Sequence, residues 1–329
     1  MELWDIYDEF RNPKGYVHER GKHIERGDYH LVVHVWIVND KGEYLIQRRQ
    51  PWKHGWPNMW DCAAGGSALI KENTKEASIR EVKEEIGVDL DEKNMEKLFS
   101  LKFTKGFDDV WFVKQNVDID KISLQYEEVA EVKWAKKEEI KKMVQEGSFI
   151  PFKYLDTLFE IIESNLEIKK ANKDEWKELL ELQRKVFMPL YEKYEDKETS
   201  PVFELEEHFK ERFDSGDYYK ILYNKELLLI GGINVKVIEP GKMKLRIINI
   251  LKEYENKKIG QEVVKRIEFM YPEAIEWSVI TILNEKRNCH FYEKLGYTKT
   301  DNKIKVNEKM TLIEYIKKDN INKLEPLNK

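Results

Sequence analysis

Cysteine is nearly missing from this chain: there are two in 329 residues, Cys62 and Cys289, far apart in sequence. That excludes a disulfide framework and a CxxC metal clip, and it fits a reducing compartment. Basic charge is not in excess either, since 57 Lys and Arg face 62 Asp and Glu for a formal net charge of −5. A dedicated nucleic-acid binder leans on a basic surface, so no nucleic-acid partner is expected. No apolar run approaches the roughly 18 residues that a membrane helix needs, so no membrane partner is expected. The opening MELWDIYDEF carries acids where a signal peptide has basic and then apolar residues, which points to a cytoplasmic protein. Repeats and low-complexity tracts are also lacking. What is present is 41% hydrophobic and 12% aromatic residues, enough for ordinary packed cores. At roughly 150 residues per domain, the length suggests two domains.

Apolar and β-branched runs at 29–38 and 44–49, separated by Asn39-Asp40-Lys41-Gly42, read as a hairpin. Residues 73–86 have a helical pattern, with Asn73 as N-cap and Glu76 three residues later. Strands are expected at 98–104 and 110–115 and helices at 136–145 and 154–163. Near 165 the pattern restarts: strand 166–169, helices 174–187 and 203–213, strands 218–223, 227–237 and 244–251. Helix 259–270, strand 277–283, helix 286–295 and a strand near 310–315 follow. The expected organisation is therefore a domain over 1–165, a second over 166–318 and a polar, mobile tail over 319–329, all of the α+β class.

Chemistry concentrates between Gly66 and Val88. On a helix, Ile79, Val82 and Ile86 share one face, and Glu81, Glu84 and Glu85 are expected on the opposite one. Carboxylates at i, i+3 and i+4 repel one another, and a hard cation such as Mg²⁺ relieves that repulsion while keeping waters for a phosphate-bearing substrate. The bland alternative is a solvated acidic face in a chain that is 36% charged.

Gly66, Glu72, Arg80-Glu81-Val82-Lys83-Glu84-Glu85-Ile86-Gly87-Val88 resembles the Nudix box, with every fixed position filled. The resemblance implies an α/β/α sandwich and metal-assisted hydrolysis of a nucleoside-diphosphate-linked or related diphosphate. It implies that Glu81, Glu84 and Glu85 hold Mg²⁺ or Mn²⁺, that Glu81 or Glu84 polarises the attacking water, and that Gly66, Glu72 and Arg80 support them. Tyr29-His30-Leu31, Arg48-Arg49, Lys53 and Trp56-Pro57 with Trp60 resemble the subgroup containing isopentenyl-diphosphate isomerase, where the positions of Arg49 and Lys53 face the diphosphate. The isomerase's cysteine and histidine are replaced here by Gly65 and Ser67, and Cys62 stands three positions early. Proton shuttling at carbon thus loses its thiol and imidazole, which argues against isomerase; Cys62 reads as a buried small residue. A late acid, from Asp108-Asp109 or from Glu127, Glu128 and Glu131, is a further candidate for the metal site, the rival reading being a turn or solvated edge. His18, His23, His34 and His54 show no ligand spacing.

In the second half, a strand, the loop at 252–258 and a helix from Ile259 bring backbone N–H groups to a helix start, which suits a phosphate. Glu255-Asn256-Lys257-Lys258-Ile259-Gly260-Gln261 resembles the acetyl-CoA pyrophosphate loop of the GNAT acetyltransferases. Asn284 to Tyr297, ending FYEKLGY, resembles that family's late helix. Glu255 stands where Gln or Arg is usual and Lys258 where the first glycine is, so Lys258 is expected at negative φ. The resemblance implies a mixed-sheet domain, cofactor contacts from Asn256, Lys258, Gly260, Gln261 and Asn288, and Tyr292 as the acid for the departing thiolate. Tyr191 to Asp196 lies where the family builds its acceptor pocket; its acids suit a cationic amine, against a solvated loop. Small-molecule diphosphate and amine substrates are the expected partners of a bifunctional enzyme, and a second domain that only senses CoA or a metabolite is the alternative.

Overall fold

The computed structural model describes residues 2–224 and 226–318; the tail expected to be mobile, from Asp319 onward, lies outside the described residues. The chain divides into two compact units, the first built mainly from residues up to 162 and the second mainly from 163 onward.

In the first unit, β1 (Leu3–Tyr7) and β2 (Pro13–Glu19) form a separate hairpin. The main sheet uses β3 (His30–Val38), β4 (Tyr44–Arg49), β5 (Trp60–Asp61), β6 (Ala64–Ser67), β7 (Met95–Phe103), β8 (Gly106–Lys114) and β9 (Val129–Ala135). Its order is β5-β4-β3-β8-β7, with β6 also on β3 and β9 also on β4. Only β3 and β8 run parallel. Alternation along β3 and β4 sends Trp36, Val38, Tyr44 and Ile46 to one face and Val35, Ile37 and Leu45 to the other. The first face packs on α2 (Lys137–Gln145) and α3 (Leu155–Glu163), the second on α1 (Thr74–Ile86). Burial on both faces explains why β3 reads as one apolar run, and it makes an α/β/α sandwich. Helix α1 starts where the sequence predicts: Asn73 accepts from Lys75 and Glu76 N–H, and Glu76 reaches back to the Asn73 N–H. It ends at Gly87, φ 71°, where an added Cβ would also meet Ser123 at 3.1 Å.

The second unit has one seven-stranded sheet, from β10 (Leu166–Lys170), β11 (Asp217–Tyr223), β12 (Leu228–Glu239), β13 (Lys242–Ile250), β14 (Glu276–Ile282), β15 (Thr298–Lys305) and β16 (Thr311–Lys318). The order is β10-β11-β12-β13-β14-β16-β15. Helices α4 (Trp176–Tyr194), α5 (Glu206–Asp214), α6 (Ile259–Met270) and α7 (Lys286–Lys294) complete it. Helix α4 runs through Pro189 rather than stopping at Phe187. Proline removes one intrahelical bond, and the flanking turns carry the helix past it. The parallel pair β13–β14 is joined only from Lys242↔Glu276 to Leu245↔Val279, and beyond that the two strands part. Strands β1, β2, β5, β6, β9 and β15 were not expected from the sequence; β2 and β15 are largely exposed and carry no apolar alternation.

Asp109 of β8 is fully buried and takes a two-pronged salt bridge from Arg11, Nη1 at 2.8 Å and Nη2 at 2.6 Å, plus the Thr74 hydroxyl at 2.6 Å and Ser100 Oγ. It thereby ties the segment after β1 and the first turn of α1 to β8. Burial opposes its charge, but Arg11 and Lys97 hold its carboxyl well below the usual carboxylate range. Asp109→Ala should therefore cost about 3–5 kcal/mol in urea unfolding at pH 7, since it strands a buried guanidinium. A depressed folded pKa gives stability that is present above the unfolded value of 3.8 and is lost as pH falls below it. The gap between wild type and variant should close in acid.

Candidate active sites

Strand β6 pairs with β3, placing Gly66 opposite Val33 and directly beneath α1. A Cβ on Gly66 would lie 2.1 Å from Glu81 Oε1, so only glycine leaves room for that carboxylate. Arg80 organises the acids. Its Nε and Nη2 donate to the two oxygens of Glu72 at 2.9 Å each, and Nη2 also reaches the Ser67 carbonyl at 3.0 Å. Its Nη1 donates to Glu81 at 2.9 Å and to Glu84 at 3.0 Å. Glu72 also accepts from the Leu69 N–H, and although burial opposes it, Arg80 keeps its pKa low.

The three helix acids do not share one solvated face as expected. Glu84 is half exposed, while Glu85 is buried on the sheet side, where Gln47 Nε2 donates to it at 2.7 Å. Position 85 follows Val82 by three residues, which turns it toward β4 instead of outward. Burial, reinforced by Glu81, Asp61 and Glu128, pushes Glu85 up to about 8. Burial also raises Glu81, against the pull of Arg80. Among the described residues, no group of three His, Cys, Asp or Glu side chains is gathered closely enough to hold one ion. The donor chemistry nonetheless suits a hard divalent cation: Glu81 and Glu85 are buried carboxylates whose charge Arg80, already shared with Glu72 and Glu84, does not balance.

Beside Gly66 opens a cavity of about 360 Å³ lined by Arg49, Trp56, Asp61, Phe103 and Phe152, with His34, Asp108 and Tyr154 also on its wall. Arg49 contacts Asp61 at 3.2 Å and the Gly55 carbonyl at 3.0 Å. Lys53, expected to face the same substrate, does not line this cavity and is paired with Glu128. The late acids are placed differently from either expectation. Asp108 sits 2.7 Å from His34 Nδ1, Asp109 is committed to Arg11, and Glu131 pairs with Arg48 at 3.0 Å. Asp108 and Asp109 are therefore neither turn nor solvated edge, and none of these acids joins Glu81 and Glu84 on Arg80. Sequence reasoning missed the His34–Asp108–Tyr154 network and Gln47. The signal available was a polar residue inside each of two otherwise apolar strands. Cys62 is buried, donates to the Ala64 carbonyl at 3.2 Å and lies outside the cavity lining.

In the second unit, the loop after β13 lines a cavity of about 850 Å³ together with α7. Lys258 adopts φ 63° and Asn256 φ 61°. The expectation of a negative φ at Lys258 is thus wrong: the lysine occupies the left-handed conformation that glycine would enter without strain, at roughly 1–2 kcal/mol. Its carbonyl accepts the Glu262 N–H at 3.1 Å and so opens α6. None of the backbone N–H groups of 256–261 has a hydrogen-bond partner among the described residues. Asn256, Lys258, Gly260, Gln261 and Asn288 all line the cavity at this helix start, which fits a pyrophosphate-bearing cofactor. Glu255 is neutralised by Arg287 at 2.7 Å, so its unusual acid does not leave bare negative charge there. Gly260 is closely packed, since a Cβ there would meet the Phe291 ring at 3.1 Å and require the ring to shift.

Tyr292 is buried at the junction of this cavity with a second one of about 230 Å³, and burial raises its hydroxyl pKa well above normal. Tyr191, Tyr194 and Asp196 line the smaller cavity, so this stretch is a pocket wall and not a solvated loop.

Comparison with known proteins bears on both units. Residues 28–155 match the NUDIX domain model and residues 189–318 the Acetyltransferase (GNAT) domain model. The first half is 47% identical over 161 residues to an uncharacterized Nudix hydrolase of Listeria innocua, covering 49% of this chain and 95% of that protein. It is 32% identical over 85 residues to isopentenyl-diphosphate Delta-isomerase of Salmonella paratyphi B, covering 26% of this chain and 47% of that protein. A GNAT family acetyltransferase from Elizabethkingia anophelis with acetyl-CoA bound is 16% identical, covers 47% of this chain and 99% of that chain, and superposes with a TM-score of 0.36. With Arg80, Gly66 and their acids in place in one unit and the open amide loop in the other, the chain belongs to the Nudix hydrolase family through its first half and carries a GNAT acetyltransferase domain in its second.

Proposed function

We propose that the first domain hydrolyses a nucleoside-diphosphate-linked or related diphosphate with Mg²⁺ or Mn²⁺, and that the second N-acetylates a small amine from acetyl-CoA. The gathering of Glu72, Glu81 and Glu84 on one arginine, next to buried Glu85, carries the first assignment. A cation held by Glu81, Glu84 and Glu85 supplies a more acidic water and positive charge for the phosphate oxygens. Arg80 keeps Glu81 and Glu84 within reach of a common point, and Glu72 fixes Arg80 through both of its oxygens. Arg49, at the cavity wall, offers a charge-assisted donor to the diphosphate, and Trp56, Phe103 and Phe152 line the same cavity. Cys62 is sealed away from this cavity, which disfavours isomerase chemistry.

In the second domain, the free amides of 256–261 would hold the cofactor's pyrophosphate, and bound acetyl-CoA supplies the activated acetyl group. Tyr292 keeps its proton at neutral pH because burial penalises the phenolate. The neutral hydroxyl can then donate its proton to the sulfur as the amine nitrogen bonds to the acetyl carbon and the carbon–sulfur bond breaks; the nitrogen gives its surplus proton to water, and the tyrosine is reprotonated from solvent.

Glu84→Gln should abolish Mg²⁺-dependent release from a diphosphate panel and weaken Mg²⁺ binding measured by calorimetry. Its half-exposed i,i+4 contact with Arg80 is worth no more than about 0.5 kcal/mol, so the melting curve should barely move. Wild-type turnover at saturating Mg²⁺ would remove Glu84 from the ligand set.

Lys258→Gly should keep acetyl-CoA affinity, because backbone amides are the donors and glycine takes the left-handed conformation without strain. An affinity loss that grows at low salt would instead make the lysine a direct pyrophosphate contact. Tyr292→Phe should leave that affinity unchanged and slow acetyl transfer by a factor on the order of 10² to 10⁴. Unimpaired transfer would remove Tyr292 as the acid.

A further inference from the structure

The smaller cavity next to Tyr292 contains a charge that the acetyltransferase reading does not use. Strand β13 pairs Leu245 with Val235 and Ile247 with Asn234, so Arg246 is the extra residue of a β-bulge. A bulge re-aims the side chain it carries. This one lies immediately after Leu245↔Val279, where β13 and β14 part, and Arg246 lines the cavity that opens there.

The guanidinium is only partly engaged. Nη1 donates to the Arg212 carbonyl at 3.3 Å and to Ser215 Oγ at 3.2 Å, both neutral oxygens. Among the described residues, no carboxylate is within ion-pair distance of it, and Nε and Nη2 have no partner. The nearby acids are already spent. Glu204 is held by Arg212, through Nε at 3.0 Å and Nη2 at 2.8 Å. Asp196, on the same cavity wall, accepts the N–H groups of Glu198 and Thr199 at 2.9 Å each and the Thr199 hydroxyl at 2.5 Å. Both of its oxygens are committed to its own turn through neutral donors, so Asp196 keeps its charge on the wall, while Arg246 is the group there with free donors. Burial and the neighbouring Arg212 both disfavour the charge on Arg246, so an anion that enters is rewarded.

We infer that Arg246 is a specificity-determining residue and that the acceptor is a small amine bearing a carboxylate, bound with its acid group on Arg246 and its nitrogen toward Tyr292. This rests on the acetyltransferase reading above. An arginine fork presents two parallel N–H donors to a carboxylate, which a diamine cannot use and would be repelled by.

The test uses the full-length protein with acetyl-CoA and follows release of the CoA thiol. Substrates are matched pairs differing by one carboxylate: tyrosine and tyramine, lysine and cadaverine, methionine and its decarboxylated amine. β-Alanine and 2-aminoethylphosphonate separate a carboxylate site from one for any oxyanion. The acid-bearing member of a pair should show kcat/KM higher by roughly 10- to 100-fold, the scale of a charge-assisted hydrogen bond, and mainly through KM. Arg246→Gln should collapse that ratio toward one, and Arg246→Lys should restore part of it. Turnover that favours the decarboxylated amines, that is absent across the panel despite acetyl-CoA binding, or that prefers the phosphonate would overturn the assignment without touching the cofactor reading. Absence of acetyl-CoA binding by calorimetry would overturn the acetyltransferase reading itself. The wild-type pairs decide the matter even if a variant at 246 fails to fold.

Discussion

Both candidate sites sit where two strands run parallel inside an otherwise antiparallel sheet. A parallel pair cannot be closed by a tight turn, so the chain must leave the sheet and return from the other end. Between β3 and β8 that excursion carries β6 and α1, with Gly66 and the acids on Arg80. Between β13 and β14 it carries the amide loop and α6. In the second case the pair also parts after Leu245 and Val279, and two cavities open around Tyr292. The chemistry is therefore tied to topology: a hairpin at either place would leave no connection long enough to bear a site.

Desolvation then decides what each site is prepared to bind. In the first domain the excess buried charge is negative. Glu81 and Glu85 are both raised by burial, and one arginine is divided among three carboxylates. In the second the groups left without partners are donors, at Arg246 and along the amides of 256–261. Unsatisfied groups of one sign at a cavity cost stability until a complementary ligand arrives, and the two domains carry opposite deficits.

Much of this was legible beforehand, because the strongest signals are local. The Asn73 cap, the apolar runs of β3 and β4 and the helix start at Ile259 depend on neighbours in sequence. The dense acids around Arg80 announced themselves by spacing. What was not legible depends on burial at long range. Glu85 lies at the border between the acidic and apolar faces of its helix, and its burial against Gln47, 38 residues away, is what spacing within the helix does not show. Lys53 looked like a substrate ligand and is paired with Glu128, 75 residues distant. Strands β2 and β15 are largely exposed, and their polar sequences carry no alternation to read.

Arg246 shows why such residues escape a reading by pattern. In sequence, KLRIINI is an ordinary strand whose two cations, Lys244 and Arg246, alternate with Leu245 as if both pointed to one face. A register shift of a single residue, set by pairing with β12, turns Arg246 into the cavity wall at the point where the sheet parts. A substitution that straightened the bulge would move Arg246 relative to the cavity while leaving its charge and the strand intact. If Arg246 selects the acceptor, that choice is encoded in strand register as much as in side-chain identity. The amide loop of 256–261 differs in kind: its free donors are backbone groups, so Lys258 and Glu255 can stand in it without removing a donor.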